Sequence, residues 1–227
     1  MAVKFSRSKP SPRYERLLRQ YQIMHRDGES HLGIPPDRTF PGKSLPPQAP
    51  RIKRLIDLTG ARDVLDYGSG KGQQYMPMPL TDDAGVVYPD IGSWWGVTVR
   101  CYDPAYPPHA ELPEGEFDGV VCTDVLEHCP EEDMEWIVGE LFGYARRFVF
   151  ANVACFPAQK RLPSGQNAHC TVRPVKWWRA LIENAARKRP RVLYEFRVTY
   201  DDRTPDGPSR LEGVLTNEPA WRAASQA

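Results

Sequence analysis

Long apolar runs are missing from this 227-residue chain. No stretch approaches the ~20 residues a helix needs to cross a bilayer. The start of the chain has no apolar signal-peptide core, so a cytoplasmic protein that meets no membrane is expected. Cysteine is sparse and unpatterned: Cys101, Cys122, Cys129, Cys155 and Cys170 form no C-x-x-C pair. An odd, scattered set points to reduced thiols and excludes a cysteine-built zinc site. Net charge is also nearly absent. At +1 there is no bulk electrostatic case for nucleic acid, and no such partner is expected. No internal repeat is visible.

What charge there is lies unevenly. Lys4, Arg7, Lys9, Arg13, Arg16 and Arg19 stand against Glu15 in the first 19 residues, which gives +5 there and leaves −4 for the rest. Such a start reads as a solvated tail, or as an arm for an acidic partner. Proline is abundant, 23 in all, and clusters at 35–50, 77–79 and 104–113. Aromatic residues are interleaved there, which suggests stiff loops rather than disorder. At 41% apolar and 26% charged, the composition is that of one globular domain with tails.

The most informative run is Val64-Leu65-Asp66-Tyr67-Gly68-Ser69-Gly70-Lys71-Gly72. A short apolar strand breaks into three alternate glycines, where a helix could begin at once. Such a turn offers free backbone N–H groups and close approach to a ligand. Next, Val97 to Tyr102 alternates as a second strand and ends in Asp103-Pro104. An acid there is placed to accept hydrogen bonds from nucleoside ribose hydroxyls. Third, Phe117 to Cys122 reads as a buried strand, followed by Thr123-Asp124-Val125-Leu126-Glu127-His128 at its C-terminal edge. Open α/β sheets bind ligands at such edges. A nicotinamide site is disfavoured, because Gln73 stands where G-x-G-x-x-G needs its last glycine and Asp103 follows Gly70 by 33 positions, against roughly 20.

These three segments, "VLDYGSGKG", "VRCYDP" and "FDGVVCTDVLEHCPEED", resemble the class I S-adenosylmethionine-dependent methyltransferases, in particular the DVLEH type acting on small molecules. The likeness spans Arg51 to Ala186. It implies an α/β, Rossmann-like sheet, mostly parallel, closing with an antiparallel C-terminal pair. Only 13 residues separate Asp103 from Phe117, too few for a crossover unit, so the third strand of that pattern should be lacking. The domain is expected over 51–216. Residues 1–50 would form a basic tail, a helix and a Pro-rich segment that is either a lid or a packed connector, and 217–227 a loose tail.

Apolar spacing predicts a helix over Tyr14 to His25. Others are expected from Pro50 to Thr59, stopped by Gly60, from Glu131 to Tyr144, and from Pro174 with Thr171 as its cap. Further strands are expected at Arg147 to Asn152, Arg191 to Tyr200 and Leu211 to Thr216.

The resemblance implies S-adenosylmethionine as cofactor and a small-molecule acceptor methylated at oxygen. Asp66, Tyr67, Gly68, Ser69 and Gly70 would face its methionine part, Asp103 and Pro104 its ribose, and Thr123 and Asp124 would line the site beside the methionine. His128 and His169 are the candidate bases. Either could instead be structural. Asp124, Glu127, His128 and His169 also resemble the acid-x-x-Glu-His and distant-His set of metal-dependent small-RNA methyltransferases, and could hold Mg²⁺ or Mn²⁺. Phe40, Tyr75, Trp94, Trp95, Tyr106, Phe156, Trp177 and Trp178 are candidates for an acceptor wall. A macromolecule methyltransferase and a non-catalytic cofactor-binding protein are the alternatives.

Overall fold

The computed structural model describes residues 4–29, 32–204 and 207–225. Its sheet begins with β1 (Asp63–Tyr67), whose Val64 and Leu65 are fully buried. A continuous apolar run of this kind suits a strand covered on both faces. β1 lies between β4 (Thr98–Tyr102) and β5 (Phe117–Thr123), both parallel to it. β6 (Ala145–Ala154) follows in parallel, then β7 (Leu193–Thr204), and β8 (Gly207–Thr216) closes the edge antiparallel to β7. The order is β4-β1-β5-β6-β7-β8. The chain leaves β1 toward β4 and leaves β5 toward β6, so the direction of winding switches between β1 and β5. Ligand crevices form at the carboxyl ends of strands around such a switch.

This is the expected α/β sheet with its antiparallel C-terminal pair. It ends at β4, and residues 104–116 hold only a 3-10 turn at Pro107–His109. The extra sequence at 73–96 forms a small ribbon, β2 (Leu80–Thr81) with β3 (Val87–Tyr88), and a short helix α3 (Ile91–Trp95).

On one sheet face α4 (Met134–Tyr144) and α5 (Val175–Ala186) bury Ile137, Leu141, Trp178 and Ile182. On the other, α2 (Ala49–Thr59) and α3 bury Ile52, Leu55 and Trp95. α2 ends at Gly60 in the left-handed conformation, the expected stop. A third cluster, Leu17, Met24, Leu162 and Ala168, joins α1 (Pro12–Asp27) to the loop after β6, above the sheet's carboxyl edge.

Four expectations need correction. No helix follows the glycine run. Gly70 and Gly72 have φ of +56° and +68°, and one 3-10 turn, Gln73–Tyr75, comes before Pro77 and Pro79. Thr171 does not cap α5: its hydroxyl donates to the Cys129 carbonyl at 2.6 Å and Pro174 takes the N-cap position. Residues 218–225 are not loose but form α6 (Glu218–Ser225), tied to α2 through Arg54–Glu218 at 2.9 Å.

The basic start is not a solvated tail either. Arg7 forks onto Glu140, with Nε–Oε1 at 2.8 Å, and donates to the hydroxyls of Tyr102 (2.9 Å) and Tyr67 (2.7 Å). Its guanidinium also lies 4.8 Å from the Trp136 ring centre. Ser11, which caps α1, is bound through both its N–H and its hydroxyl to the buried Asp133. Docking the arm sets α1 across the carboxyl edge of the sheet.

Candidate functional site

A cavity of about 720 Å³ opens at the switch point. Its floor is made by the ends of three strands: Tyr67–Gly70 after β1, Asp103–Ala105 after β4 and Thr123–Val125 at β5. Its walls are α1, residues 40–45, residues 156–160 and His169. The volume is within the ordinary range for a small-ligand site.

Of the residues expected to bind a cofactor, Tyr67, Gly68, Ser69, Gly70, Asp103, Pro104, Thr123 and Asp124 line this cavity. Asp66 lies beneath it, 1% exposed, bound by Gln74 Nε2 at 2.8 Å and the Tyr75 hydroxyl at 3.0 Å. Burial pushes its pKa up to about 6.

The glycine run differs from expectation in one further respect. Four of its N–H groups are not free: Gly68 and Ser69 donate to the Tyr102 carbonyl (2.7 and 3.0 Å), Gly70 to Asp103 (2.9 Å) and Gly72 to the Ser69 carbonyl (3.1 Å). The turn is too tight to aim them outward. It serves instead to bring bare backbone close. A Cβ on Gly68 would stand 2.3 Å from Val125 Cγ2.

The Asp103 carboxylate accepts from the Gly70 and Ala105 N–H groups, at 2.9 and 2.8 Å. Each oxygen keeps a second lone pair, which can take a ligand hydroxyl.

Across the cavity Asp124, His128 and His169 meet. One ligand-capable atom from each lies within 4.8 Å of the others. Asp124 has φ of +59°, a left-handed conformation costly for a non-glycine residue. It holds His128 Nε2 at 3.9 Å and accepts the Ser44 hydroxyl at 2.9 Å. His128 Nδ1 donates to the Ala168 carbonyl at 3.1 Å, with the Tyr21 hydroxyl 2.8 Å away. His169 Nδ1 donates to the Phe156 carbonyl at 2.6 Å. In both rings Nδ1 is committed to a backbone carbonyl, which leaves Nε2 to face Asp124 in His128 and the cavity in His169.

Electrostatics separates the two rings. Burial alone would lower the His128 pKa, but the Asp124 and Glu127 carboxylates outweigh it and the pKa is raised. Burial and the neighbouring His128 lower that of His169. Burial works against the Asp124 charge, yet His128 and Ser44 hold its carboxyl down to about 2.

Glu127 does not join the cluster. It is fully buried under the cavity wall, accepts the Ala154 N–H at 2.6 Å, and burial raises its pKa to about 7. The expected four-residue set is therefore three.

Only Phe40 and Phe156 of the eight candidate wall aromatics line the cavity. Trp95 and Trp178 are core, Tyr75 packs on Asp66, and Tyr106 lies against His25. Sequence reasoning missed His25, Lys43, Lys160 and Arg210, all of which line the cavity. They come from segments with no motif. The one available signal was a histidine in the last turn of an amphipathic helix.

No family profile and no curated protein matches the chain. Among solved structures it is similar to magnesium protoporphyrin IX methyltransferase (ChlM) from Synechocystis PCC 6803 with bound SAH. That alignment has 17% identity, covers 88% of this chain and 95% of the other, and has a TM-score of 0.43. Likeness at that level does not fix an activity.

Proposed function

We propose that the protein is an S-adenosylmethionine-dependent methyltransferase that acts on a small-molecule acceptor at oxygen. The observation that carries this reading is that one cavity holds both halves of such a site. Asp103 and the close-approach turn Gly68–Gly70 stand on one wall, and on the other two imidazoles, His169 with its Nδ1 fixed by a carbonyl and His128 paired with Asp124. The residues fit the cofactor. Asp103 has acceptor capacity for ribose hydroxyls, and Ser69 lines the cavity beside it. When bound, the cofactor supplies a reactive methyl group on a sulfonium. What remains for the protein is to orient an acceptor and remove its proton. His169, whose lowered pKa keeps it neutral at pH 7, takes that proton at Nε2. His128, with Asp124 opposite, orients the acceptor hydroxyl.

The test is calorimetric titration of S-adenosylmethionine into the wild-type protein and the Asp103→Ala variant. Binding by the first and not by a folded second supports the reading. No binding by the wild type overturns it.

A second reading has its own support. Asp124, His128 and His169 form a compact mixed oxygen and nitrogen set, and backbone carbonyls fix both Nδ1 atoms. That is the usual outer-shell arrangement of metal-ligating histidines. Mg²⁺ or Mn²⁺ bound there would acidify the acceptor hydroxyl. Full turnover in chelator would remove this reading, and loss restored by added metal would favour it.

A further inference from the structure

We infer that His25 is a cofactor-binding residue, donating a hydrogen bond to the carboxylate of the bound cofactor's amino-acid end with the Lys160 ammonium beside it. This rests on the reading of the cavity as an S-adenosylmethionine site.

His25 sits in the last turn of α1, is 7% exposed and lines the cavity. Its Nδ1 is fully buried and has no hydrogen-bond partner. A buried polar atom left unpaired is costly, and such an atom in a ligand cavity calls for a ligand. The ring is held in place: Phe40 packs on it at 4.7 Å between centroids and Tyr106 at 5.2 Å. It also sits over the glycine turn, since a Cβ built on Gly70 would come within 4.0 Å of its Cε1. A ligand whose hydroxyls reach Asp103 and whose body runs along Gly68–Gly70 passes against this ring.

The chemistry at that point is set by what the turn cannot offer. Gly68, Ser69, Gly70 and Gly72 have already given their N–H groups to the protein. With those four N–H groups spent, a carboxylate brought there draws on side-chain donors as well. The cations on that side are Lys160, which lines the cavity 4.4 Å from the Phe40 ring centre and is paired with Glu29 at 2.8 Å, and Lys71, held by the Pro36 and Thr39 carbonyls. Burial first, then these two charges, lower the His25 pKa to about 4. The ring is therefore neutral at pH 7 and presents one N–H and one lone pair.

The experiment compares two ligands by calorimetry: S-adenosylhomocysteine, and 5′-methylthioadenosine, which lacks the amino-acid end. Wild-type protein should bind the first more tightly. His25→Phe, which keeps a ring and removes both nitrogens, should weaken S-adenosylhomocysteine by about tenfold or more and leave 5′-methylthioadenosine unchanged. His25→Gln, which restores an N–H, should recover most of the loss. Equal losses for both ligands, or no loss for either, would overturn the inference. So would wild-type protein that binds both ligands equally, although the nucleoside reading would then stand. Wild-type protein that binds neither would overturn both.

Discussion

Asp66 is an acid placed where water does not reach, and its energetics can be tested without any ligand. Burial raises its pKa from 3.8 to about 6. The folded state thus binds the proton more tightly than the unfolded chain. The resulting stabilisation is complete below the unfolded pKa and is lost as pH rises through about 6. At about 1.4 kcal/mol per unit, the change is about 3 kcal/mol. Denaturant titrations should therefore show wild-type stability falling between about pH 4 and 6 relative to Asp66→Asn. Parallel curves for the two proteins would refute this. Gly68 gives a second prediction at this scale. Its φ is +87°, and a Cβ there would collide with the branched Val125 side chain. Gly68→Ala should cost about 2 kcal/mol of stability and weaken nucleoside binding, measured by unfolding and by calorimetry. The glycine's position was legible in the sequence because a strand-to-turn break is a local pattern. That the N–H groups of Gly68, Ser69, Gly70 and Gly72 would be spent was not legible. Three of the four go to the Tyr102 carbonyl of β4 and to Asp103, which the chain reaches some thirty residues later.

Among the elements, the N-terminal arm departs most from its sequence. Six basic residues against one acid look like a solvated charge run. Nothing local says that Arg7 will find Glu140, Tyr67 and Tyr102, which lie 133, 60 and 95 residues away. Arg7→Ala leaves a half-buried carboxylate and two phenols without their common donor, and should cost about 2 kcal/mol. Chemical denaturation measures it, and a change within error would show the arm to be ornamental. The six strands of the main sheet and α1, α2, α4 and α5 were legible because each carries an apolar run or an apolar stripe. The α6 helix was not. It owes its place to Arg54, which pairs at once with Glu195 and Glu218 from distant parts of the chain.

At the scale of the whole molecule, charge balance and thiol burial make two further predictions. Under the proposed function, turnover should change little between about 50 and 200 mM salt, whereas a protein gripping several phosphates would lose orders of magnitude in affinity. All five thiols are free. Burial pushes Cys101 and Cys155 up to about 11 and raises the other three. Alkylation of the native protein at neutral pH should be slow, and complete only in denaturant. Rapid labelling of the folded protein would contradict the packing. Which loops converge on the cavity was legible from the strand ends. A cover from α1 and the Pro-rich segment was one reading of the sequence; which of their side chains reach the cavity was not legible, because neither segment carries a motif. That cover has a kinetic consequence. Ser44 donates to the same carboxylate that faces His128. Any occupant that claims Asp124 competes with the cover for it, so seating the acceptor and loosening the roof draw on one hydrogen bond. Ser44→Ala should then quicken ligand exchange in stopped-flow more than it alters affinity, and the roof would act as an escapement timed by the reaction beneath it.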